Sequence, residues 1–140
     1  MDPASPSVLI VDDDELVLER LKTRLSAAGY AVRTAASGSQ ALRCLETSHA
    51  SIVISDVSMP DMDGLELCRQ IRDRRWRGHV HVVLHSNYDQ ESDVIAGLDA
   101  GADDYVSKNA SGAHLLARLR TVNRVLALEQ SLKAAASHQV

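Results

Sequence analysis

Asp12-Asp13-Asp14, Asp56, Ser86 and Lys108 each stand at or just past the end of a short apolar run, and their types suit chemistry on phosphorus. Carboxylates about 4 Å apart repel by roughly 4 kcal/mol per pair at an effective dielectric of 20, so such a cluster persists around a cation. All-oxygen ligands with incomplete protein coordination suit Mg2+, which retains waters and expects a phosphate oxygen as partner. Mn2+ suits the same donors. Lys108 adds a mobile positive charge, and Ser86 offers a hydroxyl donor. A carboxylate nucleophile at Asp56 with a divalent metal, a lysine and a serine makes a phosphoryl-transfer site, because that chemistry is mostly positioning and charge neutralisation. A structural calcium loop is the plainer reading. The acidic residues, however, lie on separated run ends and not at the regular spacing of an EF-hand loop.

These residues converge only if the runs are parallel strands of one sheet. Ile52-Val53-Ile54 is β-branched and too short for a helix, so it reads as a strand buried on both faces. Met59-Pro60 and Asp63-Gly64 predict a tight loop after Asp56, and a helix follows from about Gly64 to Arg74 with Leu65, Cys68 and Ile71 on one face. Ser7–Val11, Tyr30–Ala36, His79–His85 and Tyr105–Ser107 supply four more strands. Helical spacing runs from Glu15 through Leu18, Leu21, Leu25 and Ala28 to a stop at Gly29. Ser37 caps a second helix carrying Ala41, Leu42 and Leu45 inward. Another runs from about Asp89 to Ala100, and the last starts at Ser111 or Gly112 and carries Leu115, Leu116, Leu119, Val122 and Leu126. Strands and helices alternating five times specify an α/β doubly wound parallel sheet. The carboxyl ends of its strands share the edge where ligands bind in that architecture.

Composition is consistent with one soluble domain of 140 residues. Phe is absent, so the core is aliphatic, and the formal charge of −4 argues against a general nucleic-acid surface. No apolar run approaches the roughly 18 residues needed to span a membrane. Residues 1–7 read as disordered and lack signal-peptide organisation, which places the protein in the cytoplasm. Cys44 and Cys68 form no CxxC and read as free, largely buried thiols. Arg74-Arg75-Trp76-Arg77 reads as a solvated basic turn with Trp76 folded onto the adjacent helix.

The segments VLIVDDD, SDVSMPDMDG, VVLHS and DDYVSK, in that order, resemble those of the receiver domains of two-component response regulators, the flavodoxin-like fold of the chemotaxis regulator. The likeness covers residues 8 to about 122 and extends to spacing: Ser86 lies 30 residues after Asp56 and Lys108 lies 52 after, intervals nearly fixed in that family. The resemblance implies strand order 2-1-3-4-5 and a role for each site residue. Asp56 is then the phosphoacceptor, taking its phosphoryl group from a sensor histidine kinase or a phosphotransfer protein. Asp13 ligates Mg2+ directly, Asp12 does so through water, and the Ser58 backbone carbonyl completes the protein ligands. Lys108 pairs with a phosphoryl oxygen. Ser86 hydrogen-bonds the phosphoryl group, and Tyr105 is the aromatic switch that turns as Ser86 moves. The added charge is the physical trigger of such a switch. On this reading the chain is a regulatory phosphoacceptor that assists its own phosphorylation, and not an enzyme. A dehalogenase-type phosphatase needs a second Asp two residues after the nucleophile, where Ser58 stands.

Three positions depart from the pattern. Asn109 follows Lys108 where the family has Pro in a typically cis bond, and a cis non-Pro peptide costs roughly 3–4 kcal/mol. A trans peptide with a reshaped loop, or a strained exception, is therefore expected. Asn87 stands where the family prefers a small residue and is expected to crowd the pocket. His85 replaces an apolar residue and, close to Asp56, offers pH tuning. His79, His81 and His85 share one strand parity, which suits a metal face. The plainer reading, one loop histidine and two partly exposed strand-end histidines, is the one expected. A degenerate receiver, used as a phosphorylation-independent interaction module, is the competing function these departures raise. Beyond residue 122, Val125, Leu128 and Leu132 keep the apolar spacing, with Glu129 and Lys133 at i, i+4. Residues 123–140 then extend the last helix, as a linker to an output domain, as a homodimer seam, or packed back on the domain.

Overall fold

The computed structural model describes residues 6–74 and 79–137. Trp76 and most of the N-terminal segment read as disordered lie outside those residues. Five strands, β1 (Ser7–Val11), β2 (Ala31–Ala35), β3 (Ile52–Ser55), β4 (His81–Ser86) and β5 (Asp104–Ser107), alternate with α1 (Glu15–Ala27), α2 (Gly38–Thr47), α3 (Gly64–Asp73), α4 (Glu91–Asp99) and α5 (Gly112–Ser137). All strand pairs are parallel and the order is β2-β1-β3-β4-β5, the doubly wound arrangement expected from the alternation. Ser7, expected in the disordered segment as well as in the first run, opens β1.

Alternating strand side chains divide the core in two. Leu9, Val11, Val53, Val82 and Leu84 pack with Leu42 and Leu45 of α2 and with Leu67, Cys68 and Ile71 of α3. Val8, Ile10, Ile54, Val83 and Val106 pack on the other face with Leu18, Leu21 and Leu25 of α1 and Leu115, Leu119 and Val122 of α5. In α3 the buried face runs through Leu67, while Leu65 is only partly buried; Ala28, read as part of the α1 stripe, is exposed. Ser37 caps α2 as expected, and Asp14 and Asp63 cap α1 and α3 in the same way. Asp14, Ser37 and Asp63 accept from the backbone N–H of Leu16, Gln40 and Glu66, and Gly29 takes φ 98° just past α1, where an L side chain is disfavoured. The helix expected from Asp89 begins two residues later. Gln90 and Asp93 form a capping box there, so the hydrogen-bonded turn sets the start.

α5 continues to Ser137, roughly 39 Å of helix at 1.5 Å per residue. Leu128 and Leu132 are 65% and 71% exposed, so the tail does not pack back on the domain through them. Glu129, on the same extension, reaches the His81 ring.

Candidate functional site

The carboxyl edge of the sheet gathers the acidic residues because β1 and β3 are neighbours in register, Val11 opposite Ser55. Asp12 and Asp56 follow those residues directly, and the Asp56 N–H donates to the Val11 carbonyl at 2.9 Å. One carboxylate oxygen from each of Asp12, Asp13 and Asp56 lies within 4.8 Å of the others. Asp12 and Asp56 are buried while Asp13 is exposed, so the cluster is open on the Asp13 side. Three carboxylates at this separation form an all-oxygen donor set with room for waters, which fits Mg2+.

Lys108 arrives from the end of β5. Its Nζ stands 2.8 Å from Asp12 Oδ2 and 3.2 Å from Asp56 Oδ2. Burial pulls the ammonium down, but the hydrogen bond and charge of Asp12, and then Asp56, outweigh it and hold Lys108 above its ordinary pKa. Burial pushes the Asp56 carboxyl up, Lys108 opposes this, and the neighbouring Asp12 charge adds to it. Asp56 Oδ1 accepts from the N–H of Val57 at 2.8 Å and of Ser58 at 3.4 Å. Its Oδ2 therefore remains the oxygen facing Lys108. The Ser58 backbone enters the site through this contact, and Asp12 is oriented in turn by the Asp14 N–H on its Oδ1 at 2.9 Å.

The loop after Asp56 is closed by Gly64, whose N–H donates to the Val57 carbonyl at 2.8 Å. A Cβ on Gly64 would lie 2.1 Å from the Asp56 carbonyl oxygen and 2.9 Å from Val57 Cα, both backbone atoms that cannot swing aside. Gly64→Ala should therefore cost about 2–4 kcal/mol in chemical denaturation, with no change in m-value. An unchanged midpoint would show that the loop yields.

Ser86 is fully buried at the end of β4, and its Oγ accepts the Tyr88 N–H at 3.1 Å instead of reaching the carboxylates. Its carbonyl accepts the Lys108 N–H at 2.8 Å, so the ends of β4 and β5 are tied beside the cluster. The Tyr105 hydroxyl donates to the Tyr88 carbonyl, and its ring lies over Gly97, where a Cβ would come within 2.7 Å of the ring. Ser86 and Tyr105 thus meet through one short loop, while Asp12, Asp13, Asp56 and Lys108 form the charged centre.

The structure resolves the departures at Asn109 and Asn87. No cis peptide occurs among the described residues, so Lys108–Asn109 is trans. The Asn109 N–H, which a proline would lack, donates to Ser107 Oγ at 3.0 Å. Its side chain and Ser107 Oγ both donate to Asp89 Oδ2, at 3.1 and 2.8 Å, and hold the Asp89 carboxyl below its usual range. Sequence reasoning missed this link between the β4–α4 and β5–α5 loops, whose only signal is an Asp and an Asn twenty residues apart. Asn87, expected to crowd the pocket, is exposed.

The three histidines differ in burial. His79 is exposed ahead of β4, His81 is buried at its start, contrary to the partly exposed position expected, and His85 is half-buried near its end. Burial, with Lys108 adding to it and Asp12 opposing, lowers His85 from 6.5 to about 4. Between these values the unfolded chain binds the proton and the folded one does not. Stability is therefore full above pH 6.5 and is lost as pH falls toward 4, by on the order of 3 kcal/mol from this group. His85→Leu should flatten that part of the denaturation profile; an unaltered slope would place the loss elsewhere.

The family profile of response regulator receiver domains matches residues 8–120. The transcriptional regulatory protein GltR of Pseudomonas aeruginosa is 40% identical over 118 residues, covering 84% of this chain and 49% of that protein. The response regulator MprA of Mycobacterium bovis is 41% identical over 120 residues, covering 86% and 51%. The chain thus spans about half the length of these curated relatives. Among solved structures, a CheY-like receiver domain protein from Methanospirillum hungatei superposes with a TM-score of 0.81 at 28% identity, covering 89% of this chain and 98% of that one. The BeF3-activated N-terminal receiver domain of Klebsiella pneumoniae RstA superposes at 0.78 with 31% identity, covering 84% and 98%.

Proposed function

The chain belongs to the receiver-domain family of two-component response regulators, the phosphoacceptors of that signalling system, and we propose from this premise that Asp56 is the residue that carries the phosphoryl group. The observation that carries the assignment is the division of labour at its carboxylate: Oδ1 is fixed by two backbone N–H groups, and Oδ2 faces the Lys108 ammonium. Oδ2 attacks the phosphorus of a phosphohistidine; the new O–P bond forms as the P–N bond breaks, and the imidazole leaves with the electron pair. Lys108, released from Asp56 Oδ2, pairs with a phosphoryl oxygen and neutralises the charge that spreads over it. Asp13, Asp56 and the Ser58 carbonyl, with Asp12 through water, would hold Mg2+, or Mn2+, which when bound would neutralise phosphoryl charge.

Ser86 then turns its hydroxyl from the Tyr88 N–H to the phosphoryl oxygen. The Tyr88 loop shifts with it, and Tyr105, bonded to the Tyr88 carbonyl, follows. The partners of the chain are a histidine kinase or phosphotransfer protein upstream and an output domain or downstream protein that receives the signal, and it works in the cytoplasm. No helix among the described residues is long and apolar enough to cross a membrane. The exposed Leu128 and Leu132 on α5 form the seam of a homodimer or a linker helix.

Beryllofluoride with Mg2+ stands in for the phosphoryl group, and 19F resonance together with thermal denaturation reads its binding. Saturable, Mg2+-dependent binding with a raised midpoint is expected, and light scattering on the same sample reports whether mass doubles. No binding at millimolar Mg2+ would make the chain a phosphorylation-independent interaction module.

A further inference from the structure

At the edge of the sheet opposite Asp56, the start of β4 and the approach to β5 bring two histidines and a carboxylate together. His79, His81 and Asp103 each offer one ligand atom, and these atoms lie within 4.8 Å of one another. His79 Nε2 is 3.2 Å from Asp103 Oδ1 and 3.3 Å from Oδ2, and His81 Nδ1 is 4.0 Å from Oδ2. Ligands held about 2.1 Å from a tetrahedral ion stand roughly 3.4 Å from each other, close to the spacings Asp103 keeps to the two histidines. The two rings meet edge to face, at 4.6 Å between centroids and 84° between planes, so each presents its nitrogen to the shared space without stacking.

We propose that His79, His81 and Asp103 bind one divalent transition-metal ion of the zinc class, with the fourth position open to water. The groups around them hold the ligands as metal sites require. His81 Nε2 lies 3.3 Å from Glu129 Oε1, a contact that places the ring proton on Nε2 and leaves the Nδ1 lone pair toward Asp103. Asp103 Oδ2 accepts from Arg72 Nη2 at 2.7 Å and from the Val82 N–H at 2.8 Å, which orients the carboxylate and leaves Oδ1 toward His79. Arg72 is itself fixed, its Nη1 on the Val80 carbonyl at 2.7 Å and its Nε on the Gly101 carbonyl at 2.8 Å.

The donor chemistry separates this site from the acidic one. Two imidazoles and one carboxylate suit zinc, cobalt or nickel, whereas the carboxylates near Lys108 suit magnesium. The two stand at opposite ends of the sheet, about 16 Å apart along the five residue steps of β4. Glu129 belongs to the α5 extension, so an ion on His81 ties that extension to the sheet just where the chain leaves the domain.

Titration of the full chain with Co2+, followed by visible absorption, and with Zn2+ against a chromophoric chelator tests the site. One equivalent with a Kd of about 10 μM or tighter is expected, with a cobalt spectrum of tetrahedral intensity. Asp56→Asn should leave it unchanged. His79→Ala, at an exposed position that does not threaten folding, should weaken binding at least about tenfold, and Glu129→Gln should weaken it by about tenfold. No uptake at about 100 μM metal, or uptake lost with Asp56→Asn and kept with His79→Ala, would overturn the site.

Discussion

Asp56→Asn is expected to abolish beryllofluoride binding and phosphoryl uptake while making the metal-free protein more stable. The two effects have one source. The wild-type cluster sets three carboxylates against the single ammonium of Lys108, and two of the three are buried. An asparagine keeps the size of the side chain, and its oxygen can still accept from the Val57 N–H, but it removes the charge that Asp12 repels. Lys108 then serves Asp12 alone at 2.8 Å. The gain should be about 1–2 kcal/mol, a rise of a few degrees in the thermal midpoint without Mg2+. The amide is no nucleophile toward phosphorus, so uptake from a small phosphodonor should fall to background. Mg2+ should reverse the order of stability, because it stabilises the wild type by mass action and has lost one carboxylate in the variant. If Asp56→Asn still took up phosphate, the acceptor would be another residue. If it were less stable than wild type without Mg2+, the cluster would not be held under repulsion.

How much of this was legible in the sequence follows from what each contact depends on. Asp12, Asp56, Ser86 and Lys108 could be placed together because each ends a strand, and parallel strands present their ends on one edge. Period and punctuation carry that much. The helix cap at Ser37 was equally legible, since a cap is a bond between residues two or three apart; Asp14 and Asp63 make the same kind of bond but were read only as part of an acidic run and of a turn. What a period gives is a face, never the partner on it. His81 has the parity of His85 and the same residue type, yet one is buried against Glu129, forty-eight residues away, and the other lies half-buried near Lys108 and Asp12. Asn109 looked like a missing proline; its amide and side chain instead make bonds to Ser107 and Asp89 that a proline forbids. Leu128 and Leu132 kept a core spacing beyond the point where the sheet ends, and so had nothing to cover them.

Lys108→Met should separate what the lysine does for the fold from what it does for the reaction. Methionine keeps most of the aliphatic stem and removes the charge, so packing changes little. The two contacts of Nζ, at 2.8 Å to Asp12 and 3.2 Å to Asp56, are with buried carboxylates, and the lysine side chain itself is only 14% exposed. Removing one partner of such a pair leaves charge unpaired in a poorly solvated place, and the loss should be about 2–4 kcal/mol in the absence of metal. For a domain of this size that is roughly 10 °C in the thermal midpoint. Mg2+ should recover a larger share of stability in the variant than in the wild type, and should bind it more tightly, because in the wild type the ammonium occupies the Asp12 oxygen and repels a second cation. Phosphoryl uptake should nonetheless slow by about 10²-fold even at saturating Mg2+, since a positioned donor to the transferring group has gone. A variant that is stable without metal would mean that the carboxylates are not held by the lysine. One that is unstable yet transfers at the normal rate would confine Lys108 to the ground state and leave the phosphoryl oxygens to the metal alone.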